Sequence, residues 1–498
     1  MRPKLLPHEN KLISALSQLS RKEMTRFVEY VHSPYFNKHE KLKQLVDLFN
    51  EVYPQFEKAD LSKRMLSNKI LSTRKHKPKT SNLKRFEQQI SDFLTYLYRL
   101  LEDFLALENY YRDELRINRT LMKELYDKRM FHTMRRKIEI VREQLSDSAE
   151  RDSRFYYNAY QLENFSDLYQ TSLQHRTTDT SLQRKVDMLD VFYLAEKLRN
   201  SCEMINRSNI VQVEFKSQMI EELTSLIEEN QDLINVPVIA IYYRIYLTLT
   251  QSEIESHYRE MIKLLEEHNQ LFTHDEARLM FDYAQNYCIK KINSGKTSYL
   301  HEIFLLYQSQ LKKELVFDKE ILAEQDYKNI VTVATRLKEF KWAQNFIQKY
   351  KEYLPGKDQE NAYTFNLASL YYTMKDYNRA AKLLVGVEFT DVYYALSNRS
   401  LLLKIFYEQQ DDEPLFSLVD SFKTYLNRNK EISVYQRNVH LNLVRLTARA
   451  ARLRSKKNYI NPQQFKLEFQ KLKKKIDSTE QITNVSWLKE MVGSIETF

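Results

Sequence analysis

Apolar side chains recur every three or four positions along most of this chain, the period of one helix face rather than of a strand. The longest such run extends from Leu83 to Arg112, with Phe86, Ile90, Phe93, Leu94, Leu97, Leu101, Phe104 and Leu105 on one side. Shorter runs predict helices over Glu9–Leu19, Lys41–Tyr53, Ile117–Met130, His132–Leu145, Phe155–Leu173, Leu182–Ile205, Glu214–Glu229, Pro237–Leu249 and Glu253–His268. Ser20-Arg21-Lys22-Glu23 has the spacing of a capping box, in which hydroxyl and carboxylate satisfy each other's backbone N–H groups. The helix it opens carries Met24, Phe27, Val28 and Val31 and stops before Pro34, whose ring disfavours helix at Ser33. No run alternates in the way a strand requires.

The pattern is sharpest over Asn361–Val387. Small residues (Ala368, Ala380) are interleaved with large ones (Leu367, Tyr371, Tyr377, Leu384), and Lys375-Asp376 makes a polar turn between two amphipathic runs. Two helices crossing with axes about 8–10 Å apart need small side chains at the crossing. The apolar surface left over is too wide for one pair to hide, so further pairs are expected on both sides. Pro355-Gly356 is a helix stop before this unit. After it, Leu403, Tyr407, Leu415, Leu418 and Phe422 suggest a third pair, with Asp412 as cap and Pro414 in the first turn. Asn461-Pro462 opens a last basic helix in the same manner.

Leu367, Ala368, Tyr371, Asp376, Tyr377 and Ala380 match in order the pattern of a tetratricopeptide repeat, which the stretch resembles; Lys375 stands where that family has glycine. Phe340 and Ala343 take the places of Tyr377 and Ala380 one unit earlier, and Ala334 that of Tyr371. The resemblance covers about residues 275–480, most strongly in the one repeat. It implies that the first helix of each pair lines a concave side that holds extended peptides or partner helices. The inward residues it implies are Lys328, Asn329, Thr332 and Arg336 in one unit and Asn366, Ser369, Tyr372 and Thr373 in the next. Some members of the family grip a C-terminal carboxylate with a lysine and an asparagine four residues later; Lys328 matches, but Thr332 replaces the asparagine. The run LSRKEMTRFVEYVHSPYFN is similar to the start of uncharacterised helical bacterial proteins, which implies no function.

Composition agrees with helices throughout. Only 4 of 498 residues are glycine, against a usual share of about 7%, so turn-rich sheets and glycine-lined phosphate cradles are poorly provided for. The length exceeds the roughly 250–300 residues at which a single core stops growing. The fold expected is all-α: an α-solenoid of antiparallel helix pairs preceded by an N-terminal helical region. Its parts are a basic region over 1–113, a helical middle over 114–270, and repeats with basic terminal helices over 271–498. Residues 72–85, rich in Lys and Arg and lacking an apolar period, are the candidate linker.

Charge is unevenly placed. Residues 1–100 hold 20 basic and 10 acidic side chains, and residues 428–475 hold 14 and 2, so the net charge of +10 conceals an acidic middle. Arg437, Arg445, Arg449, Arg452 and Lys456 share one face of the helix beginning near Val434, at about 100° per residue. Such a stripe is the solvated face of a terminal helix, a row of phosphate ligands, or a contact for an acidic protein partner.

Catalytic signals are weak. Gly295-Lys296-Thr297 is the tail of a phosphate-binding loop, but Lys290 stands where the motif needs its first glycine. His268, His274, Asp275 and Glu276 lack metal-ligand spacing and are read as a polar turn with Thr273 as helix cap. Cys202 and Cys288 form no CxxC. Neither an N-terminal apolar stretch of signal-peptide length nor a membrane span is found; Val236–Leu249 carries Arg244 and is read as a buried helix. The expectation is a cytoplasmic, non-catalytic scaffold with no cofactor and no metal, binding another protein in its groove. Nucleic acid at the basic ends is the alternative, and self-association through the end helices a third.

Overall fold

The structure, a computed structural model, describes residues 10–71, 83–173, 180–211, 213, 215–356, 359–385 and 392–497. It is all-α, with 24 α-helices and one two-residue antiparallel hairpin among the described residues. The chain forms two compact units: residues 1–148 with 154–190, and residues 149–153 with 191–498. The basic linker anticipated over 72–85 lies outside the described residues up to 82, and its last three residues already belong to a helix.

In the first unit, α1 (Lys11–Leu16), α2 (Arg21–His32), α3 (Glu40–Val52) and α4 (Lys63–Leu71) surround the long α5 (Leu83–Arg112). Leu12, Met24, Phe27, Leu45, Phe49 and Leu66 bury themselves against Ile90, Leu97 and Leu101 of α5. The capping box at Ser20 is formed: the hydroxyl accepts from Glu23 N, and the Glu23 carboxylate accepts from Ser20 N at 2.8 Å. A second core gathers α6 (Glu114–Asp127), α7 (Phe131–Asp147) and α8 (Ser153–Ser172) around Met122, Met134, Ile138 and Leu162. Glu163 on α8 is buried, and two guanidiniums answer it, Arg142 at 3.2 Å and Arg184 at 3.0 Å. Arg184 lies near the start of α9 (Ser181–Val211).

The second unit is a succession of helix pairs. After α10 (Ile220–Glu229) and α11 (Gln231–Ile234) come α12 (Pro237–Thr250) with α13 (Glu255–His268), then α14 (His274–Asn293) with α15 (Tyr299–Lys312). The apolar run at Val236 becomes the buried α12, with Arg244 reaching out to Glu260 at 2.8 Å. A hairpin of β1 (Phe317–Asp318) and β2 (Ile321–Leu322) interrupts the succession. No strand is expected there, because two residues are too few to leave an alternating pattern. The pairs resume with α16 (Glu324–Arg336) and α17 (Phe340–Lys349), α18 (Gln359–Thr373) and α19 (Tyr377–Leu384), α20 (Val392–Glu408) and α21 (Asp412–Arg428), and α22 (Val434–Lys456) and α23 (Pro462–Asp477), closed by α24 (Val485–Thr497). Each helix packs on its partner, and α16, α18, α20, α22 and α24 also pack on one another in order. This packing is consistent with a solenoid.

Ala343, Ala368 and Ala380 are fully buried, as close approach of paired helices requires. One turn geometry recurs. Lys338 (φ 63°), Lys375 (φ 61°) and Gln410 (φ 60°) are left-handed, and the residue after each donates its N–H five residues back, to Ala334, Tyr371 and Phe406. That 6→1 bond is a Schellman stop, usually built on glycine; here lysine and glutamine adopt it. Arg129 and Glu314 do the same between α6 and α7 and after α15. Asp411 rather than Asp412 precedes α21, and Asp412 instead accepts from Arg454 at 2.8 Å. The stop foreseen at Pro355-Gly356 comes earlier: α17 ends at Lys349, and a 3-10 turn over Lys351–Tyr353 follows.

Candidate functional site

The turn residues fix the register of the pairs. Six positions before Lys338, Lys375 and Gln410 stand Thr332, Ser369 and Lys404; two positions before stand Arg336, Thr373 and Glu408. All of these but Glu408 face one hollow between α16, α18 and α20. There the first helices of successive pairs and the segment before α24 enclose a hollow of about 600 Å³. Its walls include Lys328, Thr332 and Arg336 from α16, Asn366, Ser369, Tyr372 and Thr373 from α18, and Ser400 and Lys404 from α20. Gln436 and His440 of α22 and Thr483 and Asn484 complete it. The Tyr394 hydroxyl of α20 donates to Glu324 of α16 at 2.7 Å, spanning the intervening pair.

Seven of the eight residues anticipated for the groove line this one hollow; Asn329 does not, and its Oδ1 accepts from Gln325 at 3.0 Å. Several of the neutral groups have already spent a donor on their own helix. The hydroxyls of Thr332, Thr335 and Thr373 donate to Lys328 O, Val331 O and Ser369 O at 2.8, 2.8 and 3.0 Å, and Asn366 Nδ2 donates to Ala362 O at 2.8 Å. What these side chains have left to offer is mainly acceptor lone pairs.

The charged groups are held differently. Burial lowers the pKa of Lys328 and of Lys404 below the ordinary lysine value; for Lys404 the neighbouring Glu408 works the other way. The Lys404 ammonium lies 4.4 Å from the centroid of the Tyr372 ring and 5.8 Å from that of Trp487. Glu408 is gripped by three donors: the hydroxyls of Tyr372 and Tyr377 and the Trp487 indole N–H at 2.7 Å. Burial drives His440 down to about 4, so its ring is neutral near pH 7; its Nδ1 lies 3.1 Å from Ser400 Oγ.

Lys404, Ser400 and His440 are absent from the sequence-derived groove. Leu403 and Tyr407 mark the third pair, but its register is hidden because Gln410, not glycine, makes the turn.

The basic stripe of α22 divides. Arg445, Arg449, Arg452 and Lys456 are exposed, with Arg452 over the Phe416 ring at 5.3 Å. Arg437 is different: its guanidinium donates to Leu426 O at 2.8 Å and Asn429 O at 3.2 Å, closing the end of α21.

The polar turn near His274 also divides. Thr273 caps α14, yet Glu276 turns inward, buried, and accepts from the Tyr242 hydroxyl at 2.8 Å; burial raises its pKa. Gly295, at φ 94°, makes the turn between α14 and α15. Among the described residues no three His, Cys, Asp or Glu side chains gather closely enough to hold a metal ion, and no helix is long and apolar enough to cross a membrane. No family model, curated protein or solved structure matches the chain, so the reading of its function rests on these residues.

Proposed function

We infer that the second unit is a tetratricopeptide-like, non-catalytic scaffold whose concave side receives an extended peptide or a partner helix from another protein. The observation that carries this reading is the convergence of Lys328, Thr332, Arg336, Asn366, Ser369, Tyr372 and Thr373 on a single open hollow. Side chains from α16 and α18 that served packing alone would have no reason to leave such a space between them. Acceptor-rich walls with a few charges suit a chain that brings its own N–H groups. Cytoplasmic residence fits two buried free thiols, Cys202 and Cys288, with burial pushing Cys288 up to about 11.

A Ser369→Arg substitution tests the reading by filling the hollow from its centre. Native and substituted chains, matched for helicity, are used to capture partners from the cell that makes the protein, and the bound proteins are identified by mass spectrometry. A partner held by the native chain and lost from the variant is the expected result. The same partners in the same amounts on both chains would contradict it.

The four exposed cations of α22 support a second reading, binding of nucleic acid. That reading requires an affinity for RNA or DNA that falls steeply between about 50 and 200 mM salt.

A further inference from the structure

Between Arg445 and Lys456, α22 is buried on most of its circumference, because α20, α21, α23 and α24 all pack on it. What it leaves in solvent is a narrow seam of like charge. Arg445, Arg449, Arg452 and Lys456 follow one another at spacings of four, three and four residues, over about 16 Å. None of the four makes an ion pair among the described residues, and α22 contains no Asp or Glu. On α21 alongside, Asp412 is held by Arg454 at 2.8 Å and Asp420 by Lys423 at 3.5 Å, which leaves Glu413 as the unpaired carboxylate of that helix. The next helix, α23, adds the exposed Lys466, Lys471, Lys473, Lys474 and Lys475, while its Asp477 is taken by Lys489 at 2.7 Å.

Like charges three and four positions apart on a helix repel and lower its stability. The helix dipole offsets this for Lys456 in the last turn, but Arg445 and Arg449 stand well before it. A merely solvated face is better served by mixed signs, as where Arg259 of α13 meets Glu255 at 2.8 Å. A polyanion lying along the seam relieves the repulsion. Directly after the row, Tyr459 is 88% exposed and packs on no other ring; its N–H donates to Lys456 O at 2.9 Å, which fixes it at the end of the seam. Beside it Asn458 is exposed, and its amide has no partner among the described residues.

We propose that this seam binds single-stranded RNA without regard to sequence, its four cations pairing with phosphates and the Tyr459 ring stacking on an unpaired base. The inference rests on the nucleic-acid reading above and narrows it to one class of strand. A duplex is disfavoured on two grounds. Its bases are stacked inside, so Tyr459 meets no base face, whereas every unpaired base offers one. In addition, α22 is walled in by its neighbours and cannot enter a major groove, the route by which helices read duplexes. Phosphate contacts carry no sequence information, so the affinity is general. RNA is favoured over DNA because its 2′-hydroxyl both donates and accepts, matching the amide of Asn458.

The test uses the full chain and fluorescence anisotropy at about 50 mM salt. The labelled probes are a single-stranded RNA of about 15 nucleotides, the DNA strand of the same sequence, the RNA duplex and an unrelated RNA strand. The two RNA strands should bind alike, at least about tenfold more tightly than the duplex and about threefold more tightly than the DNA strand. Tyr459→Ala should weaken the RNA strand at least about fivefold, and Tyr459→Phe should restore it. Arg449→Gln should lower the slope of log affinity against log salt by about 0.7, the loss of one phosphate contact. Both side chains are exposed, so neither substitution disturbs the core. A duplex or DNA strand bound as tightly as the RNA strand, or an RNA strand indifferent to Tyr459→Ala, would overturn the proposal; if Arg449→Gln still weakened binding, the nucleic-acid reading would stand. RNA binding untouched by Arg449→Gln and Tyr459→Ala alike would place the site elsewhere and overturn the proposal. Failure of every strand to bind, whether or not vesicles of phosphatidylserine and phosphatidylcholine are bound instead, would overturn both the proposal and the reading beneath it.

Discussion

Asp282 and His440 are titratable side chains that burial perturbs in opposite senses. Asp282, on α14, is pushed up to about 6 by burial, with Asp326 of α16 adding to the rise and Arg278 of α14 opposing it; the buried Tyr307 of α15 also stands near it. A carboxylate whose folded pKa exceeds its unfolded value weakens the fold as pH climbs from about 4 through about 6. Asp282→Asn should therefore stabilise the second unit by about 2 kcal/mol at pH 7 and by almost nothing near pH 4. Urea denaturation at the two pH values checks this, and an equal effect at both would contradict it. His440 behaves in the other direction. Its folded pKa of about 4 lies below the ordinary imidazole value of 6.5, so the unfolded chain takes up the proton first and stability falls as pH drops through that window. At this scale the sequence was least informative, because burial of a particular Asp or His depends on neighbours in other pairs. Glu276 is the sharpest instance: flanked by His274 and Asp275, it reads as solvated, yet its carboxylate lies under Tyr242.

Helices and their turns were far more legible. The apolar period located α5 to its ends and placed α12 and α13 within a residue or two, since a helix that buries one face must repeat every 3.6 residues. Ala368 and Ala380 announced the close crossing of α18 and α19, and both are fully buried. Ala368→Leu should cost about 1–3 kcal/mol, because three added carbons cannot be accommodated without moving one helix off the other. A variant as stable as the native chain in urea would show that the crossing is loose. The turns were the opaque part. A chain with four glycines must make its Schellman stops from other residues: Lys375 is legible as a turn because it stands where the repeat family has glycine, whereas Lys338 and Gln410 carry left-handed backbones that sequence gives no cause to expect. The cost is recoverable. Lys375→Gly should raise stability by about 0.5–1 kcal/mol, the relief of a side chain held at positive φ less the extra freedom glycine gains when unfolded. A loss of stability on the same substitution would contradict the turn geometry. Because the turn register was hidden, the groove derived from sequence stopped at α18 and omitted Lys404.

At the scale of the molecule, the second unit sets α16, α18, α20 and α22 around one hollow. A ligand seated there touches several consecutive pairs, and in a stack where each pair leans on the next, binding at the middle stiffens its neighbours. The basic surface of α22 is separate in character, since Arg445, Arg449, Arg452 and Lys456 are exposed on a helix rather than sunk in a cavity. Arg437 belongs to neither surface, because it serves the end of α21. The most direct test is hydrogen–deuterium exchange of the full chain with and without, at saturating concentration, the partner protein that the native chain captures and the Ser369→Arg chain loses. Protection should appear in 324–336, 359–373 and 392–408, the helices that carry Lys328, Arg336, Ser369 and Lys404. Protection confined to 434–477, or none anywhere while the partner remains bound, would contradict the account.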